Sequence, residues 1–361
     1  MSGDLPKKGT VIYFAPVPTQ FFQQWEYYQV DLDMLERCFS KVIVCHDNLS
    51  FLRTILFTRI SLVYCWWWHR STICVAVSRL FRIPSYVTGA AHMYDESGSI
   101  DFTSNGFLYR MACRVTWRMA SVNLFISKSQ RRQICSHETV NNPKLLKSSL
   151  RASYEITKSR STQAQISKNQ LGLKDLPIQF LTIAWMTKEQ LKRKSVYETL
   201  GALKILIDRE LVNFKWVIAG GDSDGREELE EKITNLGLDS YVTLLFDISN
   251  EQKIRLYGNS DLYVQPSYYE GFGNAVLEAM SFGLPAVVSR NTAQAEVIGD
   301  SGFMVEEIES VHIADVLAKY VLLDLEQRSE RRELVYKTID KRHLFQYRLE
   351  QFVSLIESEG N

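Results

Sequence analysis

The 361-residue sequence predicts an α/β protein made of two Rossmann-like domains that face a central cleft. Short apolar runs rich in β-branched residues alternate with helical patterns, which is typical of parallel sheets covered by helices on both faces. A polar linker rich in Ser, Lys and Gln, residues 139–176, divides this alternation into two series. We therefore predict an N-terminal domain over residues 1–172 and a C-terminal domain over residues 173–342.

The predicted strands are short apolar stretches bounded by turn residues. In the first series they are residues 10–15, 41–46, 61–67, 85–89 and 122–127, with helices through 25–39 and 72–81. In the second series they are residues 178–185, 214–221, 241–246, 261–267 and 285–289. An amphipathic helix follows at 343–358, and we expect residues 343–361 to pack back on the first domain. Ligands of such sheets bind outside the carboxyl ends of the strands.

Composition indicates an ordinary globular protein, with 45% apolar and 23% charged residues. The net charge is zero, but residues 1–150 carry a net charge of +7 and the remainder −7. A basic first half fits an anionic ligand or an anionic membrane surface. The six cysteines have no metal-binding spacing, which indicates reduced thiols. No apolar stretch reaches the ~18–20 residues of a spanning helix, so we expect a cytoplasmic protein.

Two glutamates, Glu270 and Glu278, flank a glycine-rich turn in SYYEGFGNAVLEAMSFGLPAVVS, residues 267–289. The two glycines of the turn let the backbone approach a ligand, and a helix begins near Asn274. The N-terminus of a helix favours a phosphate, whereas a carboxylate accepts hydrogen bonds from the vicinal hydroxyls of a sugar. The pattern therefore predicts a nucleotide sugar as ligand, with its diphosphate at the helix start.

The string PSYYEGFGNAVLEAMSFGLPAVVS, followed by AEVIGDSGFMV, resembles the Glu-x7-Glu signature of family 4 retaining glycosyltransferases with the GT-B fold, the glycosyl transferases group 1. The resemblance extends from about residue 178 to about residue 305. It implies transfer of a sugar, with retained anomeric configuration, from a nucleotide diphosphate sugar bound by the C-terminal domain. The acceptor hydroxyl, on a glycan or lipid-linked molecule of surface polysaccharide or glycan assembly, would bind the N-terminal domain.

Matched position by position, the resemblance assigns Glu278 to the ribose hydroxyls and Glu270 to hydroxyls of the donor sugar. We expect Glu270 to be a catalytic group that positions the sugar rather than a covalent nucleophile. The resemblance further assigns four backbone amides to the sugar and phosphates, those of Gly271, Phe272, Gly273 and Asn274.

Family members also carry a Gly-Arg pair and then a lysine that hold the diphosphate, and here the sequence departs from the pattern. Trp185 and Met186 stand where Gly-Arg is usual. Lys194 keeps register with the family lysine, and we expect Arg193 beside it to replace the missing arginine. Cations are needed because the leaving nucleoside diphosphate gains negative charge in the transition state. Solvated side chains at a helix are the alternative for both residues.

The first domain resembles the family less closely. His92 follows a strand and a Gly-Ala-Ala turn, where the family often has a histidine near the anomeric centre. By that analogy we expect His92 to be a catalytic group in the cleft, assisted by Asp95, and a solvated loop histidine is the alternative. The loop after the first strand has no glycine, unlike the family's acceptor loop, so acceptor binding must differ there.

Six basic residues and no acidic one lie between Phe107 and Gln133, and three of them, Arg110, Arg114 and Arg118, line one helix face. A basic helix with aromatic residues can lie on an anionic membrane. We therefore expect peripheral contact with the inner face of the membrane through this helix, and a solvated basic face is the alternative. Nucleic acid is not expected, because no recognition motif accompanies the basic residues.

No metal or other cofactor is expected. Two D-x-D strings occur, at residues 31–33 and 222–224. The carboxylates of the first do not share a helix face, and the second lacks the downstream glutamate of a calcium loop. We interpret both as structural.

Two other functions stay open. A non-catalytic GT-B subunit that binds a nucleotide sugar or a partner transferase would explain the missing Gly-Arg pair. A GT-B sugar-nucleotide epimerase would alter its donor without an acceptor.

Overall fold

The computed structural model of the protein describes residues 7–89, 105–151 and 176–359. The chain divides into two compact units, the first made of Met1–Ala152 with His343–Asn361 and the second of Ser153–Arg342. The predicted boundary between residues 172 and 173 lies outside the described residues.

Among the described residues, six parallel strands form the sheet of the first unit: β1 (Lys8–Phe14), β2 (Phe39–Cys45), β3 (Leu62–Trp66), β4 (Ser85–Thr88), β5 (Val122–Phe125) and β6 (Pro143–Leu145). Their order in the sheet is β2-β1-β3-β4-β5-β6. The order reverses direction between β1 and β3, so this unit has its topological switch point there. All residues of β3, β4 and β5 are buried, as expected for a parallel sheet with both faces covered.

Helices cover both faces of this sheet. Helices α1 (Thr19–Gln24) and α2 (Glu26–Cys38) pack into the core on one face. The other face is covered by α3 (Asn48–Phe57), α4 (Thr72–Leu80), α5 (Phe107–Met119) and α6 (Lys128–His137). A single 3₁₀ turn, Trp68–Arg70, precedes α4. Each of these helices therefore keeps one apolar side for the core and exposes the other.

The prediction of a linker from residue 139 was wrong for residues 143–151. Strand β6 pairs in parallel with β5, with Asn123 opposite Pro143 and Phe125 opposite Leu145, and Leu146 is buried. A three-residue strand is too short to give a periodic signal. Because it begins with proline, it fits only at a sheet edge.

The second unit contains another parallel sheet, with strands β7 (Ile178–Ile183), β8 (Phe214–Gly220), β9 (Val242–Phe246), β10 (Leu262–Gln265), β11 (Ala286–Ser289) and β12 (Phe303–Val305). Their order is β12-β11-β10-β7-β8-β9, the doubly wound arrangement of dinucleotide-binding domains. The sequence predicted all of these strands except β12, which has only three residues.

The helices of the second unit are α7 (Lys188–Arg193), α8 (Val196–Asp208), α9 (Arg226–Asn235), α10 (Asn250–Asn259), α11 (Asn274–Ser281), α12 (Ala293–Ile298), α13 (Ser310–Val321) and α14 (Leu325–Arg342). Helices α8, α9 and α13 contribute to one large apolar core with β7, β8, β10 and β11. No helix of the described residues is long and apolar enough to cross a membrane.

The next helix, α15 (Phe345–Ser358), belongs to the first unit. Its apolar residues recur with helical spacing and join the core beside α2: Phe345, Leu349, Phe352 and Ile356. The amphipathic pattern of the sequence therefore marks a helix that completes the covering of the first sheet.

A buried ion pair connects α15 to α2. Nε and Nη2 of Arg348 donate to Oδ1 of Asp31, and Oδ2 of Asp31 accepts from the Tyr64 hydroxyl at 2.8 Å and the Trp66 indole at 2.9 Å. Nη1 of Arg348 donates to the backbone oxygen of Leu146 at 2.9 Å. Because every charged group has partners, this pair avoids the usual penalty of a buried charge.

Removing one member of this pair leaves the other charged and buried. We expect Arg348→Met to lower the free energy of unfolding by about 3–5 kcal/mol, measured by urea denaturation followed by tryptophan fluorescence. The control is Glu357→Gln on the exposed side of the same helix, which should change it by less than about 0.5 kcal/mol. Equal effects of the two substitutions would contradict a stabilising role for the pair.

Candidate active site

Polar side chains of the second unit gather where β7 and β10 end. These strands are neighbours in the sheet, with Leu262 opposite Phe180 and Tyr263 opposite Leu181. The strand order reverses direction at this pair, and ligands of doubly wound sheets bind in the crevice outside such a switch point. Strand β7 leads to α7 and Lys194, and β10 leads to the loop of residues 266–273.

Helix α11 begins at the glycine-rich turn. Gly273 precedes it with φ 98° and ψ 51°, in the left-handed region. A Cβ at this position would lie 2.8 Å from Cγ of Gln294, so glycine meets both the backbone and the space requirement. The first turn of α11 brings the positive end of the helix dipole to this loop.

The Gln265 side chain is the centre of the hydrogen-bond network at the end of β10, where it is buried. Its Oε1 accepts from Nζ of Lys194 at 3.0 Å and from the hydroxyl of Tyr263 at 2.9 Å. Its Nε2 donates to Oγ of Ser267 at 3.2 Å and to Oε1 of Glu270 at 2.9 Å. Gln265 was not among the predicted site residues, although a glutamine at the end of an apolar strand is a signal visible in the sequence.

Arg193 and Glu270 form an ion pair in the same network. Nη1 of Arg193 lies 2.7 Å from Oε1 of Glu270, and the side chains are only 9% and 13% exposed. The same nitrogen donates to the backbone oxygen of Tyr269 at 3.0 Å, and Nη2 donates to Gln190 at 2.7 Å. The last residue of α7 is therefore fixed against the loop that carries Glu270.

Lys194 is the second buried cation of the site. Its Nζ donates to the backbone oxygen of Ile183, the last residue of β7, at 2.7 Å. Burial lowers the pKa of Lys194 to about 8, a change that the Glu270 carboxylate opposes and the Arg193 guanidinium favours. The ammonium is therefore still charged at pH 7 but loses its proton as the pH rises through about 8.

Glu278 lies one turn into α11 and is more exposed than Glu270. Its Oε2 accepts from Nζ of Lys253 at 3.0 Å and from the hydroxyl of Tyr257 at 3.2 Å. Both partners come from α10. This carboxylate is thus held by a neighbouring helix while 28% of its side chain stays exposed.

The structure brings Glu270, Arg193 and Lys194 into one network, and Gly271, Phe272, Gly273 and Asn274 form the turn and helix start beside it. Phe272 is buried. His92 and Asp95 lie outside the described residues.

The two residues in place of the family Gly-Arg pair have different environments. Met186 is buried in the core of the second unit, whereas Trp185 is exposed. A Cβ at Gly221 would lie 2.3 Å from the Trp185 ring, which therefore lies directly over this glycine. Met186 anchors the loop after β7 through backbone hydrogen bonds with Gly221 and Gly225.

The carboxylates of the D-x-D strings have protein partners. Asp31 is in the ion pair with Arg348. Asp222 pairs with Arg226 at 3.0 Å, and Asp224 accepts from the backbone N–H of Lys188 at 3.2 Å. Both strings therefore contribute to local structure.

Within the described residues, one group of side chains is close enough together to hold a metal ion: Glu307, Glu309 and His312. The two glutamates are exposed, and the group lies at the start of α13 rather than at the ends of β7 and β10.

The first unit has a cavity of about 510 Å³ at its own switch point. Phe14 and Pro16, at the end of β1, and His69 and Arg70, after β3, line one part of it. The rest is lined by the polar residues Asp47, Asn48 and Thr72 and by apolar residues of α4 and α5: Ile73, Leu108, Met111, Ala112 and Val115. Burial and then the charge of Arg70 lower the pKa of His69 to about 4, so its imidazole is neutral at neutral pH. The cavity therefore combines an apolar wall with one arginine and one aspartate.

Comparison with known structures defines the class of protein. Sucrose-phosphate synthase from Thermosynechococcus elongatus has 14% sequence identity to this chain and a TM-score of 0.74, over 97% of this chain and 99% of that chain. Anabaena Alr3699/HepE in complex with UDP-glucose has 16% identity and a TM-score of 0.70, over 97% of this chain and 99% of that one. The fold is therefore GT-B, as the sequence predicted.

Sequence comparison then identifies the family. Residues 168–340 match the model of glycosyl transferases group 1, which confirms the resemblance found in the sequence. The O-antigen chain mannosyltransferase B of Escherichia coli is 30% identical over 142 residues, which are 38% of this chain. The chain spans 35% of that relative's length, and less than two thirds of the lengths of other curated relatives.

The backbone of Gly273, before α11, is in the left-handed region, where a residue with a Cβ is strained. We expect Gly273→Ala to destabilise the protein by about 1–3 kcal/mol, because it adds backbone strain and a clash with Gln294, measured by thermal unfolding. Gly258→Ala in α10 is the matched control, since a Cβ there meets nothing within 4 Å. The control should stabilise the protein by up to about 1 kcal/mol. A Gly273→Ala protein as stable as the control would contradict the assigned backbone geometry.

Proposed function

We propose that this protein is a retaining glycosyltransferase that transfers a sugar from a nucleotide diphosphate sugar to an acceptor hydroxyl. The observation that carries the proposal is the pair of buried cations, Arg193 and Lys194, beside Glu270 at the switch point of the second unit. Two fixed cations next to a carboxylate match a ligand with a diphosphate next to sugar hydroxyls.

The donor would occupy the site in a defined orientation. Its diphosphate would bind the start of α11 and the two cations, since helix N-termini and cations both stabilise phosphate. Glu278 would accept hydrogen bonds from the ribose hydroxyls, for which its exposed fraction leaves room. Glu270 would accept hydrogen bonds from the transferred sugar.

Catalysis would come mainly from stabilising the leaving group. When the bond between the anomeric carbon and the diphosphate oxygen breaks, the electron pair stays on the diphosphate, whose charge Arg193 and Lys194 stabilise. Glu270 is held by Arg193 and Gln265, which supports a positioning role rather than nucleophilic attack. His92 is proposed as a further catalytic group by resemblance alone.

The acceptor is proposed to bind the cavity at the switch point of the first unit. Its apolar wall fits a lipid-linked acceptor, and Asp47 and Arg70 supply polar groups for the hydroxyls of a glycan. A relative that acts as an O-antigen chain mannosyltransferase supports a role in surface polysaccharide assembly. The six free cysteines, five of them buried, support a cytoplasmic location.

We propose that transfer needs no metal ion, because Arg193 and Lys194 can supply the positive charge at the diphosphate. Excess EDTA should therefore leave the initial transfer rate unchanged, within about twofold of an untreated sample. The control is the same reaction with EDTA and added Mg²⁺. A rate that EDTA abolishes and Mg²⁺ restores would contradict the proposal.

The experiment that tests the function starts from a thermal-shift screen with UDP-, GDP-, TDP- and ADP-sugars. A donor that binds only the native state raises the unfolding temperature, and product analysis then follows with oligosaccharide and lipid-linked acceptors. Transfer with retained anomeric configuration is expected. Binding without transfer or hydrolysis would favour a non-catalytic subunit, and a changed donor without acceptor would favour an epimerase.

Charge-removing substitutions test the donor site. We expect Glu278→Gln and Lys194→Gln each to weaken donor binding about 10- to 100-fold, the usual loss for a hydrogen bond to a charged group, measured by isothermal titration calorimetry. Lys192→Gln is the matched control, because this lysine lies two positions away but is exposed. Unchanged binding in both site variants would refute the donor assignment.

The lowered pKa of Lys194 predicts a pH dependence of donor binding. Below a pKa of about 8 the ammonium is charged and binds phosphate, and as pH rises through 8 the charge is lost. The donor diphosphate does not titrate in this range. Affinity should therefore be about tenfold lower at pH 9 than at pH 7, and Lys194→Gln should remove most of this dependence. An equally steep dependence in that variant would assign the titration to another group.

A further inference from the structure

Helices α3, α4 and α5 form the outer layer on one side of the first unit, with their apolar sides in the core beneath. Helix α3 packs on α4, and α4 packs on α5. Because the strands before these helices are parallel, the three helices run in the same direction. We define the α3–α5 surface as the exposed side chains of residues 48–59, 72–82 and 107–119.

The α3–α5 surface is unusually apolar. It holds nine of the seventeen large apolar side chains that are exposed among the described residues: Leu49, Leu56, Phe57, Ile73, Leu80, Phe81, Phe107, Leu108 and Met111. At the C-terminal ends of α3 and α4, Phe57 is 86% exposed and Leu80 is 79% exposed. Single exposed apolar residues are ordinary, but their concentration on one surface marks an interaction site.

The charges on this surface are almost all positive. Its exposed cations are Arg53, Arg59, Arg79, Arg82, Arg114 and Arg118. Residues 48–89 and 107–133 contain no Asp or Glu. Among the residues that the structure describes, two acidic ones lie next to the surface: Asp47 caps α3 through the Ser50 N–H, and Glu138 accepts hydrogen bonds from Nε and Nη2 of Arg114. The remaining arginines flank the apolar side chains.

We propose that the α3–α5 surface binds an anionic phospholipid bilayer. The apolar side chains outside the acceptor cavity, above all Phe57 and Leu80, would enter the boundary of the acyl chains, and the arginines would bind the phosphate groups above them. Arg79 and Arg82 lie within three positions of Leu80 in the sequence. One short segment therefore carries both an apolar side chain for the acyl chains and arginines for the phosphate groups. A nucleic acid would match the charge but offers no apolar layer for Phe57 and Leu80.

This surface differs from the single basic helix that the sequence predicted. In α5 the charge of Arg114 is neutralised by Glu138. The arginines nearest in sequence to the most exposed apolar residues lie on α3 and α4 (Arg53 and Arg79) or just after them (Arg59 and Arg82). The proposal is independent of the donor site, because its observations all come from the first unit.

The test is co-sedimentation of the full chain with vesicles. We expect binding to vesicles of phosphatidylglycerol mixed with phosphatidylcholine, and at least tenfold weaker binding to phosphatidylcholine alone. About 0.5 M NaCl should weaken the first interaction, because the Debye length then falls to about 4 Å. Wild-type protein that fails to bind the anionic vesicles would overturn the proposal, whatever the outcome of the transfer assay.

Two double variants test the arginines and the apolar side chains of the surface separately. Arg79→Gln with Arg82→Gln should weaken vesicle binding about 25-fold, at about fivefold for each charge. Phe57→Ser with Leu80→Ser should weaken it about tenfold or more. The matched control is Leu322→Ser with Leu325→Ser, two exposed leucines of the second unit, which should change binding by less than about twofold.

The same variants decide between a bilayer and other partners. Thermal unfolding and release of nucleotide from the donor should stay at wild-type values in the surface variants, which shows that they are folded. Anionic vesicle binding that none of the surface substitutions weakens would overturn the proposal. A wild-type dimer in sedimentation velocity that Phe57→Ser with Leu80→Ser dissociates would also overturn it, in favour of contact with a second copy.

Discussion

The Gln265 carboxamide lies between a buried ammonium and a buried carboxylate, and the arrangement of both depends on it. Its oxygen accepts two hydrogen bonds and its nitrogen donates two, so the amide uses its full capacity. A rotation of the amide by 180° would direct its NH₂ group at the Lys194 ammonium and its oxygen at the Glu270 carboxylate. The network therefore has one favourable orientation, and a glutamate at this position would repel Glu270.

The sheet topology explains why these groups meet. Lys194 and Glu270 are 76 positions apart in the sequence, but β7 and β10 are neighbours in the sheet. Tyr263 strengthens this connection, since its hydroxyl accepts from the Ile183 backbone N–H at 3.3 Å and donates to Gln265. In doubly wound sheets the carboxyl ends of the two strands at the switch point lie side by side. In this protein that places two cations and one carboxylate together.

Much of this architecture was predictable from the sequence, for physical reasons. Strands buried on both faces read as continuous apolar runs, and α15 has a clear helical period. The edge strands β6 and β12 have three residues each, too few for a period. The Glu270 turn was recognisable because its glycines and helix start are local. The contacts of Lys194 with Gln265 and of Arg193 with Glu270 were not, because they depend on the pairing of distant strands.

The position of α15 has a consequence for synthesis of the chain. The second unit is one continuous segment, so it can fold as soon as it has left the ribosome. The first unit is interrupted, and Asp31 has no cationic partner until Arg348 has been made. One face of its sheet also keeps an apolar strip uncovered during that interval. The unit that begins first is thus completed last, and the nascent chain has to be protected from aggregation while the second unit is translated.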